Sequence, residues 1–390
     1  MKEQIRQMVD AIIPEITALR HEIHSNPELA GEEVNTSRLV REKLADTAIK
    51  LLPPYLKTDV VGLLNGSAPG PNVTLRADMD ALPLDELTGL DYASKCPGRM
   101  HACGHDGHTA VLAGAALVLN QLRDRFNGSV RFVFQPGEEV VAMGRELVDA
   151  GALDDPPPKA VFALHTWAHP ECGRILSRPG AVMAATGFFK ITITGQGAHG
   201  SAPHNSIDPV LIGSHLVTGL QAIVARNINP LEPAVVSVCH FSSGQNSNVI
   251  PETAFLEGTY RFLGSETGET IRRLIREYSE GICKAFGASC EVELNQPYDI
   301  VFNSPEYVDM VRDTALEYLG KGSYEELGTP SMGGEDFCFF LQKAPGAFFR
   351  LGNGPGGVSI HSPRYNFNDC ALRNGILMMV HLALKTLNAE

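Results

Sequence analysis

The sequence predicts an α/β protein with two domains, one of which is inserted into the other. At 390 residues the chain exceeds the size at which a single hydrophobic core keeps growing, so two domains are expected. Apolar runs of strand length at 72–77, 129–135 and 160–165 alternate with helical patterns, as in an open α/β sheet. Between residues 181 and 294 the pattern becomes β-α-β-β-α-β, which is typical of a ferredoxin-like sandwich.

The domain boundaries follow from this change of pattern. Residues 1–180 and 295–390 are predicted to form one discontinuous domain, and residues 181–294 form the inserted one with a core of its own. The elements predicted for the insertion are a strand at 188–194, a helix at 208–226, strands at 234–241 and 253–262, a helix at 267–286 and a strand at 289–294.

An amphipathic helix is predicted near the N-terminus, over residues 3–25. Its apolar residues at helical spacing are Ile5, Met8, Ile12, Ile16 and Leu19. His21 and His24, near its end, are interpreted as groups on the helix surface. The charges inside the apolar pattern are unlike the core of a signal peptide.

The densest set of metal-binding side chains lies in residues 100–109, which read MHACGHDGHT. In extended backbone Cys103 and His105 point to the same face, where they could bind one side of a metal ion. The alternative is a polar loop with a structural cysteine. A buried helix is expected over 107–122, with Asp106 as its N-cap. Its macrodipole would lower the pKa of the Cys103 thiol.

Two acidic residues, Asp78 and Asp80, follow the strand at 72–77 and share one face of an extended segment. They either orient metal-binding histidines, by binding the ring nitrogen that faces away from the metal, or belong to a solvated loop. His108 falls in the first turn of the expected helix and is interpreted as structural.

Other strands also end in side chains that could bind a metal. One is followed by Pro-Gly and then by Glu138 and Glu139, which would point in opposite directions in extended backbone, so that one could bind metal while the other moves protons. His165 ends the next strand, and His361 follows a strand near the C-terminus. Open α/β sheets bind their ligands at this edge, although adjacent acids are also common on solvated surfaces.

The inserted segment contains further candidates. The turn GQGAHGSAPH presents His199 and His204, and its glycines allow a side chain to approach a ligand. Asn248 precedes Ile-Pro, and Arg261 lies in a predicted strand. The alternatives are an exposed loop histidine for His199 and a charge on the sheet surface for Arg261.

The composition favours small-molecule chemistry. The 32 basic and 45 acidic residues give a formal net charge of −13, which opposes non-specific binding to nucleic acids or anionic membranes. The eight cysteines are too scattered for a disulfide framework, so a reducing cytoplasm is the expected location. No apolar run has the length needed to span a bilayer.

In their order along the chain, these motifs resemble the M20 metallopeptidase family, and within it the amidohydrolase branch of hippurate hydrolases and auxin-conjugate hydrolases. The resemblance covers essentially the whole chain, from HEIHSNPELAGEE to SIHSPRYNFND, and MHACGHDGH and RADMDALP are highly specific to that branch. It implies a zinc-peptidase-like catalytic domain of three α/β/α layers, with an inserted ferredoxin-like lid domain that mediates dimerisation.

The resemblance also implies a site for two divalent metal ions. The implied ligands are Cys103, with its thiolate in the bridging position, His105, Glu139, His165 and His361. Glu138 would be the general base, and His199 would help to hold the oxyanion, in dimeric relatives within the partner subunit's site. Asn248, Arg261 and Gly334, the last in the motif MGGEDF, match positions that meet the substrate. Zinc or manganese is expected, with cobalt or nickel as alternatives.

Two departures from the family pattern affect these expectations. Asp78 stands where other branches have a histidine ligand, so no sixth protein ligand is implied. The chain reads QPGEEV in place of QPAEEG, and HTWAHP in place of HLWP. These changes keep the ligands and alter the local substrate pocket.

The expected function is metal-dependent hydrolysis of the amide bond of N-acyl amino acids, with Glu138 moving the proton. The alternatives are a dipeptidase or aminoacylase of the same fold, a hydrolase with Cys103 as nucleophile activated by His105, and a metal-binding protein without catalysis. The expected partners are a small acyl amino acid and a second copy of the chain. The acyl group, the metal in use and the oligomeric state are open at this stage.

Overall fold

A mixed eight-stranded sheet forms the centre of one of the two compact units into which the chain divides. The computed structural model describes residues 1–389, apart from the side chains of residues 140 and 141. The first unit comprises Met1–Val182, Val301–Thr329 and the chain from Glu335 onward, and the second comprises Met183–Ile300 and Pro330–Gly334. The protein is therefore a mixed α/β protein with one unit inserted in the other.

The helices and strands have the following bounds. The helices are α1 Lys2–Ser25, α2 Val34–Leu44, α3 His105–Gln121, α4 Glu138–Val141, α5 Met143–Asp149, α6 Pro209–Ala222, α7 Ser265–Ala285, α8 Pro305–Thr314, α9 Cys338–Lys343 and α10 Leu372–Thr386. The strands are β1 Lys50–Leu51, β2 Val60–Asn65, β3 Asn72–Asp78, β4 Ser129–Gln135, β5 Pro158–Trp167, β6 Ile175–Ser177, β7 Gly180–Met183, β8 Ala185–Thr194, β9 Ala198–His199, β10 Ala234–Ser243, β11 Val249–Ile250, β12 Thr253–Phe262, β13 Ser289–Tyr298, β14 Val301–Asn303, β15 Tyr324–Glu326 and β16 Gly346–Gly352.

The sheet of the first unit has the strand order β1-β2-β4-β3-β5-β16-β6-β15. Its four middle strands, β4, β3, β5 and β16, are parallel to one another. Their carboxyl ends therefore meet at one edge of the sheet, where α/β proteins bind their ligands.

The two faces of this sheet differ in character. Alternate residues of the middle strands, such as Leu75, Phe132 and Phe162, join a large apolar core with residues of α1, α3 and α10. Residues at the intervening positions point to the opposite face because side chains alternate along a strand. Three buried arginines occupy such positions, namely Arg76, Arg131 and Arg350.

The second unit is built on a four-stranded antiparallel sheet of order β10-β12-β8-β13. Helices α6 and α7 share a separate apolar core with this sheet. The main elements occur in the order β-α-β-β-α-β. The unit extends to Ile300, beyond the predicted boundary at residue 294, because β13 continues to Tyr298, and residues 330–334 also belong to it.

None of the helices described here combines the length and the apolar character needed to cross a membrane.

Candidate metal centre

The N-terminus of α3 presents two of the predicted ligands. Gly104 has a left-handed φ of 89°, and a Cβ at this position would lie 2.5 Å from the Thr166 methyl carbon, so glycine is required there. His105 is consequently the first helical residue, with Cys103 just before the turn. The expectation that Asp106 is the N-cap is wrong, because Gly104 is the N-cap and no side chain caps the helix.

Asp106 instead anchors α3 to α1. Its Oδ2 accepts hydrogen bonds from Arg20 Nε at 2.7 Å and from His24 Nδ1 at 2.8 Å. The interpretation of His24 as a surface group is therefore wrong, since the residue is fully buried. His21 is half-buried and lies 2.8 Å from Asp369 Oδ2. Burial lowers the pKa of His24, but its contacts with the Asp106 and Glu86 carboxylates together outweigh burial, and the pKa is raised.

Asp80 orients His105 from behind. Its Oδ1 lies 3.2 Å from His105 Nδ1, and its Oδ2 accepts the Glu139 backbone N–H at 3.0 Å. Asp80 is 1% exposed, so the solvated-loop alternative for this residue is wrong. With Nδ1 engaged, the Nε2 lone pair of His105 remains available to a metal ion, the usual arrangement for a ligand histidine.

His108 is structural, as predicted. Its Nδ1 lies 2.7 Å from Asp78 Oδ1, and its Nε2 accepts the Thr166 backbone N–H at 2.8 Å. Both ring nitrogens are therefore occupied. Asp78 also pairs with Arg76 at 2.7 Å, so this buried aspartate serves as a structural link and not as part of a solvated loop.

Glu138 and Glu139 begin the short helix α4, so the expectation of extended backbone at this pair is wrong. Gly137, with a left-handed φ of 62°, turns the chain after β4. Its N–H donates to Glu33 Oε1 at 3.0 Å. Glu33 is completely buried and fixes this turn across 104 residues of sequence, a contact that no local pattern reveals.

The five predicted ligands converge in the first unit. Cys103 Sγ lies 3.3 Å from His165 Nε2, and Glu139 Oε1 lies 3.2 Å from His361 Nε2 and 3.9 Å from His105 Nε2. Cys103 forms one group of mutually close donor atoms with His105 and His165, and another with Glu139 and His361. Cys103 is thus common to two candidate metal positions.

At the centre of this cluster, the completely buried His105 Nε2 has no hydrogen-bond partner among the described residues. The buried Glu139 Oε1 lies against the ring nitrogen of another candidate ligand, His361, at 3.2 Å. An unpaired buried polar atom is costly, and a metal ion would satisfy His105 Nε2. The mixed imidazole, carboxylate and thiolate donors suit a divalent transition metal. The residues present therefore fit two metal ions.

His361 reaches the cluster through an unusual backbone conformation. Its φ is 65°, which is uncommon for a residue with a side chain and is found mostly where structure or function requires it. Its N–H donates to the Ala102 carbonyl at 2.8 Å, which links the loop to the segment before Cys103.

Several carboxylates give the cluster an excess of negative charge. Burial and the Glu139 and Glu138 charges raise the pKa of Cys103 well above its usual value, so in the protein without cations they outweigh the lowering expected from the helix dipole. Burial lowers the pKa of His105, but the nearby carboxylates raise it to about 10. Bound divalent cations would reverse these effects, because they would be the largest local charges.

Glu138 lies between the ligands and a second group of acids. It is 6% exposed, and burial together with Glu335 and Glu139 raises its pKa well above the usual value. Glu335 and Asp336 share the buried cation Arg76, at 3.1 and 2.7 Å. Sequence reasoning missed this network, although the acidic pair in MGGEDF was a visible signal.

The other four predicted site residues lie on the second unit, in two places. Pairing of β9 with β11 sets His199 beside Val249, next to Asn248, and both His199 and Asn248 are exposed. Arg261 Nη1 donates to Thr186 Oγ1 at 2.7 Å and to the Met332 carbonyl at 3.2 Å. Gly334 packs against the same threonine, since a Cβ at this position would lie 2.8 Å from Thr186 Oγ1.

The chain is similar to known hydrolases and peptidases in both sequence and structure. Residues 74–385 match the model of peptidase family M20/M25/M40. The chain is 38% identical to Thermostable carboxypeptidase 1 of Saccharolobus solfataricus over 100% of this chain and 98% of that protein. It is 42% identical to N-acyl-L-amino acid amidohydrolase of Geobacillus stearothermophilus over 78% and 82%. The crystal structure of the Bacillus subtilis YXEP protein, described as a dinuclear metal-binding peptidase of the M20 family, matches with a TM-score of 0.85 and 33% identity over 98% of this chain and 100% of that chain.

Proposed function

Since the chain belongs to peptidase family M20/M25/M40, as the sequence motifs predicted, we propose that it hydrolyses the amide bond of N-acyl amino acids with the help of two divalent metal ions. The observation that carries this proposal is the convergence of five potential ligands around Cys103, with the carboxylate of Glu138 beside them. A site that only binds metal needs acids as ligands or to orient its ligands, and Glu138 is proposed for neither role.

The metal ions would be held by the residues that form the cluster. These are Cys103, shared between two positions, and His105, Glu139, His165 and His361. A divalent ion polarises the scissile carbonyl and lowers the pKa of water enough to make a nucleophile near neutral pH. We propose zinc or manganese as the metal, with cobalt or nickel as alternatives.

Glu138 would act as the general base and then as the general acid. Its carboxylate would accept a proton from the attacking water and donate it to the departing amine.

Hydrogen bonds fix the tautomers of two of the histidines proposed as ligands. Asp80 engages Nδ1 of His105, and the Thr166 carbonyl accepts from Nδ1 of His165 at 2.6 Å, which leaves each Nε2 for a metal.

The second unit would be a ferredoxin-like lid that contributes substrate contacts. His199 Nδ1 accepts the Ser201 backbone N–H at 3.1 Å, so in the neutral ring Nε2 carries the proton and suits an oxyanion. We propose His199 as that donor, in its own or the partner subunit's site of a homodimer. Asn248, Arg261 and Gly334 are proposed to meet the substrate.

The test is hydrolysis of a panel of N-acyl amino acids by the chelated protein, repeated after adding zinc, manganese, cobalt or nickel one at a time. No activity in chelator and recovery with one metal is the expected result, and the panel would also give the acyl preference. Full activity in chelator would contradict the proposal.

A second candidate is removal of the C-terminal residue from a short peptide, which the 38% identity to Thermostable carboxypeptidase 1 favours. The same panel, extended with dipeptides, separates the two activities. A Cys103 nucleophile is disfavoured by the structure, because burial and two adjacent carboxylates raise the thiol pKa where a cysteine hydrolase needs it lowered.

A further inference from the structure

The side chain of Arg350 combines deep burial with the absence of any ionic partner among the described residues. It is 6% exposed. Its Nε and Nη2 are fully buried and have no hydrogen-bond partner among the described residues. Burial alone lowers its pKa, to about 10, so the guanidinium is charged at neutral pH. A buried unpaired charge is expensive and requires an explanation.

The other arginines on this face of the sheet have partners. Arg76 is paired with Asp78, Glu335 and Asp336. Arg131 Nη2 donates to the Pro156 carbonyl at 2.9 Å. Within the described part of the chain, Nε and Nη2 of Arg350 have no equivalent acceptors.

Arg350 is adjacent to the candidate metal centre. In the parallel pairing of β16 with β5, Arg350 is the register partner of His165. Neighbouring strands lie about 4.8 Å apart, and both side chains point to the same face of the sheet. The Trp167 ring is 6.0 Å from the His165 ring and 3.6 Å from the Arg350 guanidinium carbon.

The free donors have the geometry that a carboxylate requires. Nε and Nη2 form one edge of the planar guanidinium, and their N–H bonds match the two oxygens of a carboxylate. The protein uses this same edge elsewhere, where Arg373 Nε and Nη2 bind the two oxygens of Asp10 at 2.5 and 3.2 Å. Trp167 covers one face of the Arg350 plane and does not compete for its edge.

We propose that the Nε and Nη2 edge of Arg350 is the binding site for a carboxylate of the substrate. This inference rests on the proposed amide hydrolysis. The carboxylate belongs either to the amino acid or to a dicarboxylic acyl group, and both present the same two oxygens. Because neither nitrogen is open to water, a side chain must move to admit the carboxylate, and Trp167, which is half-buried and lies against the guanidinium, is the one expected to move.

A first experiment needs no catalysis. Trp167 is the only tryptophan of the chain, so its fluorescence reports directly on Arg350. The metal-loaded protein is titrated with succinate, and with uncharged succinamide as the control probe. Succinate is expected to change the emission and succinamide is not. Arg350→Met should abolish the response, and Arg373→Met, which removes the same guanidinium edge from the surface pair with Asp10, should keep it.

A second experiment identifies the source of the carboxylate. Wild type and Arg350→Met are compared on N-acetylalanine, N-acetylalaninamide and N-succinylalaninamide. For the substrate whose carboxylate Arg350 binds, kcat/KM should fall roughly 10- to 100-fold, the strength of hydrogen bonds to a charged group. N-acetylalaninamide should be unaffected. Equal losses on all three substrates, or no loss on any, would overturn the proposal.

The melting temperature of the variant distinguishes a role of Arg350 in substrate binding from a structural role. Arg350 has no ionic or hydrogen-bonded partner among the described residues to lose, and removal of the unpaired buried charge offsets the lost stacking on Trp167, so the melting temperature of metal-loaded Arg350→Met should not fall. A lower melting temperature with an unchanged succinate response would refute the proposal. If that variant does not fold, Arg350→Lys keeps the charge without the two-pronged edge and should bind succinate more weakly. If wild type hydrolyses none of the substrates, the amide-hydrolase assignment fails and the fluorescence titration still decides the role of Arg350.

Discussion

The candidate functional residues of the two units differ in their burial and in the contacts that hold them. In the first unit the residues are buried, apart from Glu139, which is of intermediate burial, and His361, which is exposed, and several have a second partner that fixes their orientation, as Asp80 does for His105. In the second unit His199 and Asn248 are exposed; His199 accepts the N–H of Ser201, two residues along the chain, and pairs with Val249 on the neighbouring strand β11.

This difference follows from the chemistry proposed for each set. A cluster of acids and histidines must be assembled before metal arrives, and low dielectric makes every misplaced charge costly. Substrate contacts must instead stay open until a ligand is present. Mutations in the first unit should therefore change metal binding or stability as well as rate, whereas mutations at His199 should change rate alone.

The largest effect is expected for Glu138→Gln, which tests whether the first unit separates metal binding from proton transfer. Activity should fall by roughly 10²- to 10⁴-fold or more, because a positioned proton-transfer group is lost. Metal content, measured on the purified variant, should stay at the wild-type level. Complete loss of metal would show that Glu138 is a ligand and would contradict the proposed division of roles.

His199→Ala tests the second unit. Loss of an oxyanion donor should lower kcat by roughly 10²- to 10³-fold, with metal content and melting temperature unchanged, because the side chain is exposed. His204→Ala is the matched control, since this histidine is also exposed in the same glycine-rich turn. Equal kcat values for wild type and His199→Ala would leave His199 as a surface residue.

Asp80→Asn tests whether Asp80 orients the candidate ligands His105 and Glu139. The variant weakens the contacts with His105 Nδ1 and the Glu139 N–H, so metal affinity should fall roughly 10- to 100-fold. Titration against a competing chelator measures this. Asp85→Asn, which affects only an exposed contact with the Gly98 N–H, should leave affinity unchanged, and a similar loss in both variants would refute a specific role for Asp80.

The smallest effect is expected at the link between α1 and α3. The pKa of His24 is raised in the folded protein, so its charge stabilises the fold fully below the unfolded pKa of about 6.5, and this contribution is lost as pH rises through the raised value. His24→Gln should cost about 1 kcal/mol of unfolding free energy at low pH and less at high pH. Urea unfolding at several pH values measures this difference, and a gap that widens with pH would contradict the assignment.

The sequence by itself determined the elements and the ligand candidates. Strand-length apolar runs predicted β3, β4 and β5, and side chains at or just after strand ends predicted Glu139, His165 and His361, because parallel strands bring their carboxyl ends to one edge. The role of His108 was also correct. Local pattern and strand position suffice for such residues.

Only the tertiary structure decided which distant groups meet. Glu33 contacts Gly137 across 104 residues, Arg20 contacts Asp106 across 86, and Arg76 contacts Asp336 across 260. The pairing of Asp106 with Arg20 and His24 explains why His24 is buried and why Asp106 is not a cap. A buried charge is costly unless the fold or a ligand supplies a partner, and pairing over such separations depends on the packing of whole elements, which local sequence does not encode.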